Sequence, residues 1–143
     1  MTKLLVPIHG SPDRWRAALE EATEIHRREN ASIHLLSVQP KVSGHVAMYF
    51  GRGELQHIQR AAGLEDLQPA QAFLQAAGVP CTSSVMVGRS AETIARAARE
   101  FGCERIIMGR DGEAPSGGTL FGSVAAQVRH ILSTGNDCQV IGS

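Results

Sequence analysis

The sequence predicts an α/β fold: a three-layer, doubly wound, mostly parallel sheet of five strands. Three observations lead there. Short apolar runs alternate with longer stretches of helical period in the order β-α-β-α-β-α-β-α-β, which implies right-handed crossovers and helices on both faces of the sheet. Around Leu4–Val6, Leu35–Val38 and Ile106–Met108 the apolar residues are successive and not alternating, as in strands buried on both faces. The chain of 143 residues is the size of one domain and can bury a sizeable core. With no repeat, low-complexity tract or linker, residues 1–143 read as a single domain.

The elements follow in order. Lys3 to Ile8 is the first strand. A stripe of Trp15, Ala18, Leu19, Ala22 and Ile25, with Glu20, Glu24, Arg27 and Arg28 towards solvent, is the first helix. Ser32 to Val38 is the second strand. Gln39 to Gly53 carries Gly44, Gly51 and Gly53 without periodicity and reads as a mobile loop. Arg52 to Ala77 is helical in tone but contains Gly63 and Pro69. An interior proline removes a hydrogen bond and clashes with the preceding turn, so a kink is expected, or two helices with the second starting near Gln68. Gly78-Val79-Pro80 ends that segment. Cys81 to Val87 is the third strand. Ser90 is the expected N-cap of a helix whose stripe is Ala91, Ile94, Ala97, Ala98 and Phe101, closed by Gly102. Glu104 to Gly109 is the fourth strand. Val124, Val128, Ile131 and Leu132 mark the last helix, and Cys138 to Ile141 the last strand.

Composition removes several classes of function. Fourteen Lys and Arg balance fourteen Asp and Glu, interspersed, so there is neither a basic patch for nucleic acid nor a polybasic membrane anchor. The apolar run Leu4-Leu5-Val6-Pro7-Ile8 is too short for a signal or membrane segment, which favours the cytoplasm. Cys81, Cys103 and Cys138 are widely spaced and odd in number; they read as reduced structural thiols in preference to a redox sensor. His26, His34, His45, His57 and His130 show no metal-ligand spacing. Ser11 and Ser123 sit in no nucleophile-elbow motif, and Trp15 and Phe101 lie on apolar stripes as core residues.

One segment carries functional information. From Gly109 to Ser123 the chain runs Gly-Arg-Asp-Gly-Glu-Ala-Pro-Ser-Gly-Gly-Thr-Leu-Phe-Gly-Ser, from an expected strand through a glycine-rich loop to an expected helix start at Gly122-Ser123. Glycines allow close approach of backbone N–H groups, and a helix amino end favours an anion, most simply a phosphate. A flexible loop with a helix cap would use the same residues. No Lys follows the glycines, which excludes a Walker-type NTPase. In doubly wound sheets ligands sit beyond the carboxyl ends of the strands, where strand order switches. The loops after Ile8 and after Met108 both lie there.

The residues Leu4-Leu5-Val6-Pro7-Ile8-His9-Gly10-Ser11, then Val87-Gly88-Arg89-Ser90-Ala91-Glu92-Thr93-Ile94, then Gly109, two residues, Gly112, nine residues and Gly122-Ser123 resemble the universal stress protein family over essentially the whole length. The glycine spacing resembles its ATP-binding branch. The resemblance implies strand order 3-2-1-4-5 and a homodimer joined through the last strand, Cys138 to Ile141. It implies an adenine nucleotide, ATP or AMP, with Mg accompanying it. Pro7 and Val38 would help form the adenine and ribose pocket, beside Ile8, His9 and Met108. Gly109 and Gly112 would let the backbone approach the phosphates. Gly122, Ser123 and Val124 would supply amides and a hydroxyl, and Asp111 would reach the metal through the nucleotide.

The chain departs from the family pattern at two places. His9 stands where an aspartate is usual, and a neutral imidazole offers one acceptor in place of a carboxylate's two oxygens. Asp111 and Glu113 flank Gly112 where basic residues are common. At ~6 Å from a triphosphate each would repel it by about 0.7 kcal/mol at a water-like dielectric, which Arg110 and Mg would offset. The resulting expectation is a regulatory stress-response protein that binds nucleotide without fast turnover. Two alternatives stand beside it: a dimeric interaction module that binds no nucleotide, and a slow ATPase.

Overall fold

The computed structural model describes residues 2–8, 12–51, 53–109, 124–132 and 138–141. Five strands, β1 (Lys3–Pro7), β2 (Ser32–Gln39), β3 (Cys81–Val87), β4 (Arg105–Ile107) and β5 (Gln139–Ile141), form one sheet in the order β3-β2-β1-β4-β5. Every pairing is parallel. The helices are α1 (Pro12–Glu29), α2 (Gly44–Ala47), α3 (Glu54–Ala76), α4 (Ser90–Glu100) and α5 (Val124–Leu132).

Period-two side-chain direction along the strands sorts the core into two layers. Leu4, Val6 and Ile8 of the first strand segment, with Ile33 and Leu35, pack under α1 and α3 against Trp15, Leu19, Leu67 and Leu74. Leu5, Leu36, Ile106 and Met108 point the other way, under α4 and α5, against Ile94, Ala98 and Val128. Leu4, Leu5, Leu35, Leu36, Ile106 and Ile107 are fully buried, each contributing about 1.5–3 kcal/mol by removal from water. Successive apolar residues were required because each central strand has a helix on both sides.

Three expectations change. Of the two outcomes expected at Pro69, a kink or two helices, the second does not occur: α3 is one helix from Glu54 to Ala76 with Pro69 inside it. Leu67, Ala70 and Leu74, all buried on one face, clamp the helix across the proline. Pro69 and Glu65, whose carbonyl loses its donor, lie on the exposed side, where losing one bond costs less than in the core. The segment Gln39 to Gly53 is not a structureless loop. It contains the short helix α2, whose N-cap Ser43 Oγ accepts from Val46 N–H, and Gln59 Nε2 ties Pro40 O to α3. Ser90 is the first helical residue of α4 and not its N-cap. The first helical bond is Thr93 N–H to Arg89 O, 2.8 Å, so Arg89 occupies the cap position without a side-chain bond. The other end behaves as the sequence implies. Gly102 adopts φ +65°, and Cys103 N–H reaches Ala98 O at 2.8 Å, a Schellman ending.

Candidate functional site

The strand order reverses direction between β1 and β4, so the crevice of this fold lies beyond their carboxyl ends. β1 stays paired with β2 as far as Pro7↔Leu36, and Ile8 N–H extends that ladder to Leu36 O at 2.8 Å. β4 stays paired with β5 to Ile107↔Ile141, extended by Met108 N–H to Ile141 O at 2.7 Å. Between β1 and β4, however, the register covers only Leu4↔Arg105 and Leu5↔Ile106.

A single residue explains the early end. Backbone groups of a parallel strand point alternately to its two neighbours. Ile8 N–H points to β2, whereas Lys3 O accepts from Glu104 N–H on the β4 side, so the odd residues of β1 face β4. Pro7 is the next of these, and it has no N–H to give. The carbonyl of Ile107, which a residue with an N–H at position 7 would engage, is left facing the gap. The β1–β4 ladder therefore ends at a missing donor, at the switch point where the fold places its crevice, and the Ile107 carbonyl faces β1 there.

The walls come from both core layers. Ile8 belongs to the layer under α1, while Met108, with half-buried Val38 and Val124, belongs to the layer under α4 and α5. Pro7 is buried. Gly109 leaves β4 against the start of α1, where an added Cβ would collide with the backbone carbonyl of Arg14. The glycine is thus required by helix packing, whatever it also offers a ligand. This close approach brings the amino end of the 18-residue α1, with its partial positive charge, to the exit of β4. Sequence reasoning missed that helix end. Its signal was the pair Ser11-Pro12, an N-cap type followed by proline at the first helical position. Of the expected site residues, Pro7, Ile8, Val38, Met108, Gly109 and Val124 are placed at this end of the sheet. His9, Asp111, Gly112, Gly122 and Ser123 lie outside the described residues.

A cavity of about 560 Å³ also borders Met108 and Gly109, between α1 and the end of β5 at Ile141. Glu20, Glu21 and Glu24 line it. Three carboxylates repel a phosphate, so this flank does not suit the anionic part of a nucleotide. Among the described residues no group of three His, Cys, Asp or Glu is arranged to hold a metal ion, and no helix is long and apolar enough to cross a membrane.

The remaining polar groups act in the fold. His34 Nδ1 and Nε2 lie 2.6 and 2.8 Å from the hydroxyls of Thr82 and Ser84, with the Phe101 ring at 4.5 Å. Burial, aided by Lys3, holds this imidazole below its ordinary pKa, and the pair of hydroxyls pins β2 to β3. Cys81, Cys103 and Cys138 are free thiols. Burial raises all three, Cys103 to about 11, which keeps them as unreactive thiols at neutral pH.

An all-parallel sheet in the order 3-2-1-4-5, open at its switch point, defines a doubly wound α/β domain. The chain belongs to the universal stress protein family, whose sequence model matches residues 1–133. No curated protein matches it. Similar solved structures include a universal stress protein in complex with cAMP, 20% identical, covering 99% of this chain and 96% of that one with a TM-score of 0.75. A family member from Burkholderia pseudomallei is 26% identical, with 99% and 95% covered and a TM-score of 0.68. A family protein from Arabidopsis thaliana with AMP bound is 18% identical, with 99% and 90% covered and a TM-score of 0.68.

Proposed function

We propose that the chain binds an adenine nucleotide, ATP or AMP, in the crevice between β1 and β4, in a regulatory stress-response role without fast turnover. The observation that carries this reading is the ladder that stops at Leu5↔Ile106 because Pro7 cannot donate. It leaves the Ile107 carbonyl as an acceptor for a group such as an exocyclic amine, between apolar walls from Val38 and Met108. The amino end of α1 adds an electropositive rim. The similar structures with cAMP and AMP support an adenine ligand. In this reading Pro7, Ile8, His9, Val38 and Met108 hold the nucleoside. Gly109, Gly112, Gly122, Ser123 and Val124 meet the phosphates, and Asp111 meets Mg. The domain spans residues 1–143 and works in the cytoplasm as a homodimer through Cys138 to Ile141. Titration calorimetry with ATP, with and without Mg, and with AMP tests it. Saturable binding is expected, and no heat at millimolar nucleotide would refute it.

A second reading, an interaction module without nucleotide, is favoured by the carboxylates at Asp111 and Glu113 and by Glu20, Glu21 and Glu24 beside Gly109. It predicts that the natural chain is silent in the same titration, while a His9→Asp, Asp111→Asn, Glu113→Gln variant binds.

A further inference from the structure

We infer that the β3 edge of the sheet is a docking site for an extended, acidic segment of another protein, which adds beside β3 as a sixth strand. β3 ends the strand order, so among the described residues one side of its backbone has no strand neighbour. Gly88 N–H donates to Gln39 O, which fixes the alternation: Thr82, Ser84 and Met86 turn their backbone groups to β2. Ser83, Val85 and Val87 turn theirs outward. Among the described residues these three outward-facing positions have no backbone partner, and they form a template for an added strand.

A groove lies along that template. Cavity volume of about 390 Å³ is bounded by Val85 and Val87 on the strand, by Gly53 just before α3, and by Gln56, His57, Gln59 and Arg60 on α3. His57, Arg60, Leu64 and Gln71 follow one helical stripe, and Gln71 Nε2 donates to Ser83 Oγ at 3.0 Å. The stripe therefore flanks the strand from Ser83 to Val87 in antiparallel sense. Gly63 allows this approach, since a Cβ there would strike the Val85 side chain. Leu64, 42% exposed, adds an apolar shoulder.

Charge selects the occupant. Arg60 supplies a guanidinium and His57 an imidazole, and among the described residues no carboxylate lines the groove. The nearby acids are engaged elsewhere: Glu54 accepts from Gly51 N–H at 2.9 Å and Asp66 from Gln39 Nε2 at 3.0 Å. A second copy presenting its own β3, Cys-Thr-Ser-Ser-Val-Met-Val, brings no acid to meet Arg60. An alternating acidic and apolar strand can instead turn all its carboxylates to the α3 face, toward Arg60 and His57, and its apolar side chains to the opposite face, the side of Met86.

The test uses the full chain and a synthetic peptide of alternating Glu and Val, with an alternating Lys and Val peptide as control. The acidic peptide is expected to bind and to slow amide exchange at Ser83, Val85 and Val87 by at least tenfold. The basic peptide should do neither. Arg60→Glu with His57→Glu, both solvent-exposed changes, should weaken binding by tenfold or more while leaving the circular dichroism and nucleotide titration unchanged. Val87→Pro removes an outward N–H without touching the β2 ladder and should weaken binding at native charge. Absence of binding at millimolar peptide, binding indifferent to the charge reversal, or protection elsewhere would overturn the proposal. So would protection of the same three amides without peptide in a self-associated protein.

Discussion

β1 and β4 are joined at one end and parted at the other. At the amino end Glu104 N–H donates to Lys3 O at 3.0 Å, and Gln139 N–H to Glu104 O at 2.8 Å. There the Arg105 guanidinium forks onto Glu29 Oε2 and Oε1 at 3.0 and 3.1 Å, tying the end of α1 to β4. The fork holds the Glu29 carboxyl below its ordinary pKa and raises that of Arg105. At the carboxyl end the same two strands lose their ladder at Pro7. The lesson is that one residue without an N–H stops a parallel ladder whose flanking ladders both continue.

The largest effect is expected at Gly109, where packing meets the crevice. Gly109→Ala forces a Cβ into the Arg14 carbonyl, and a helix backbone cannot yield as a side chain can. Chemical denaturation should show a loss of about 3 kcal/mol, with nucleotide titration weakened in parallel. Wild-type stability would show that α1 does not depend on that approach. Gly63→Ala meets the Val85 side chain, which has some freedom, and gains about 1 kcal/mol of helix propensity. A smaller net loss of about 1 kcal/mol is expected.

Pro7→Val sharpens the comparison, because it restores the donor. The β1–β4 ladder should extend by one bond, the protein should gain about 1 kcal/mol in a urea melt, and nucleotide affinity should fall about tenfold. Stabilisation without loss of affinity would separate the crevice from binding.

His34 links pH to the same sheet. Its folded-state pKa is depressed, by burial first and by Lys3 second, so the unfolded chain takes up the proton more readily. The contribution to stability is therefore complete above the ordinary value of 6.5 and is lost as pH falls towards the folded value. The urea midpoint should drop on acidification below that point, and His34→Gln should flatten the drop. An equally steep drop in the variant would assign it elsewhere. The smallest effect belongs to the closed end. Arg105→Gln removes a partly exposed pair, which is worth little and is screened by salt. A barely resolved shift at low salt, absent at high salt, is expected.

Much of this was legible in the chain. The buried strands announced themselves by consecutive apolar residues, because two-sided burial leaves no polar face. Pro7 was marked as a site residue through family resemblance, yet its physical role was not, since the side on which its N–H is missing depends on the register of β1 with β4. Pro69 left a kinked helix and two helices as alternatives for a related reason. Propensity prices the lost bond, but the burial of Leu67, Ala70 and Leu74 decides whether the helix continues. The docking edge was invisible, because no local pattern states which strand comes last in a sheet.

The sequence by itself determined the five strands and the four longer helices, their order, the parallel sheet and the family. Those follow from periodicity and from residues whose backbone preferences are local. Only the tertiary structure decided where β1 and β4 separate, why Gly109 must lack a side chain, and which backbone groups of β3 stay unpaired. Each of these depends on which strands and helices become neighbours, a relation between residues far apart in the chain that no local preference encodes.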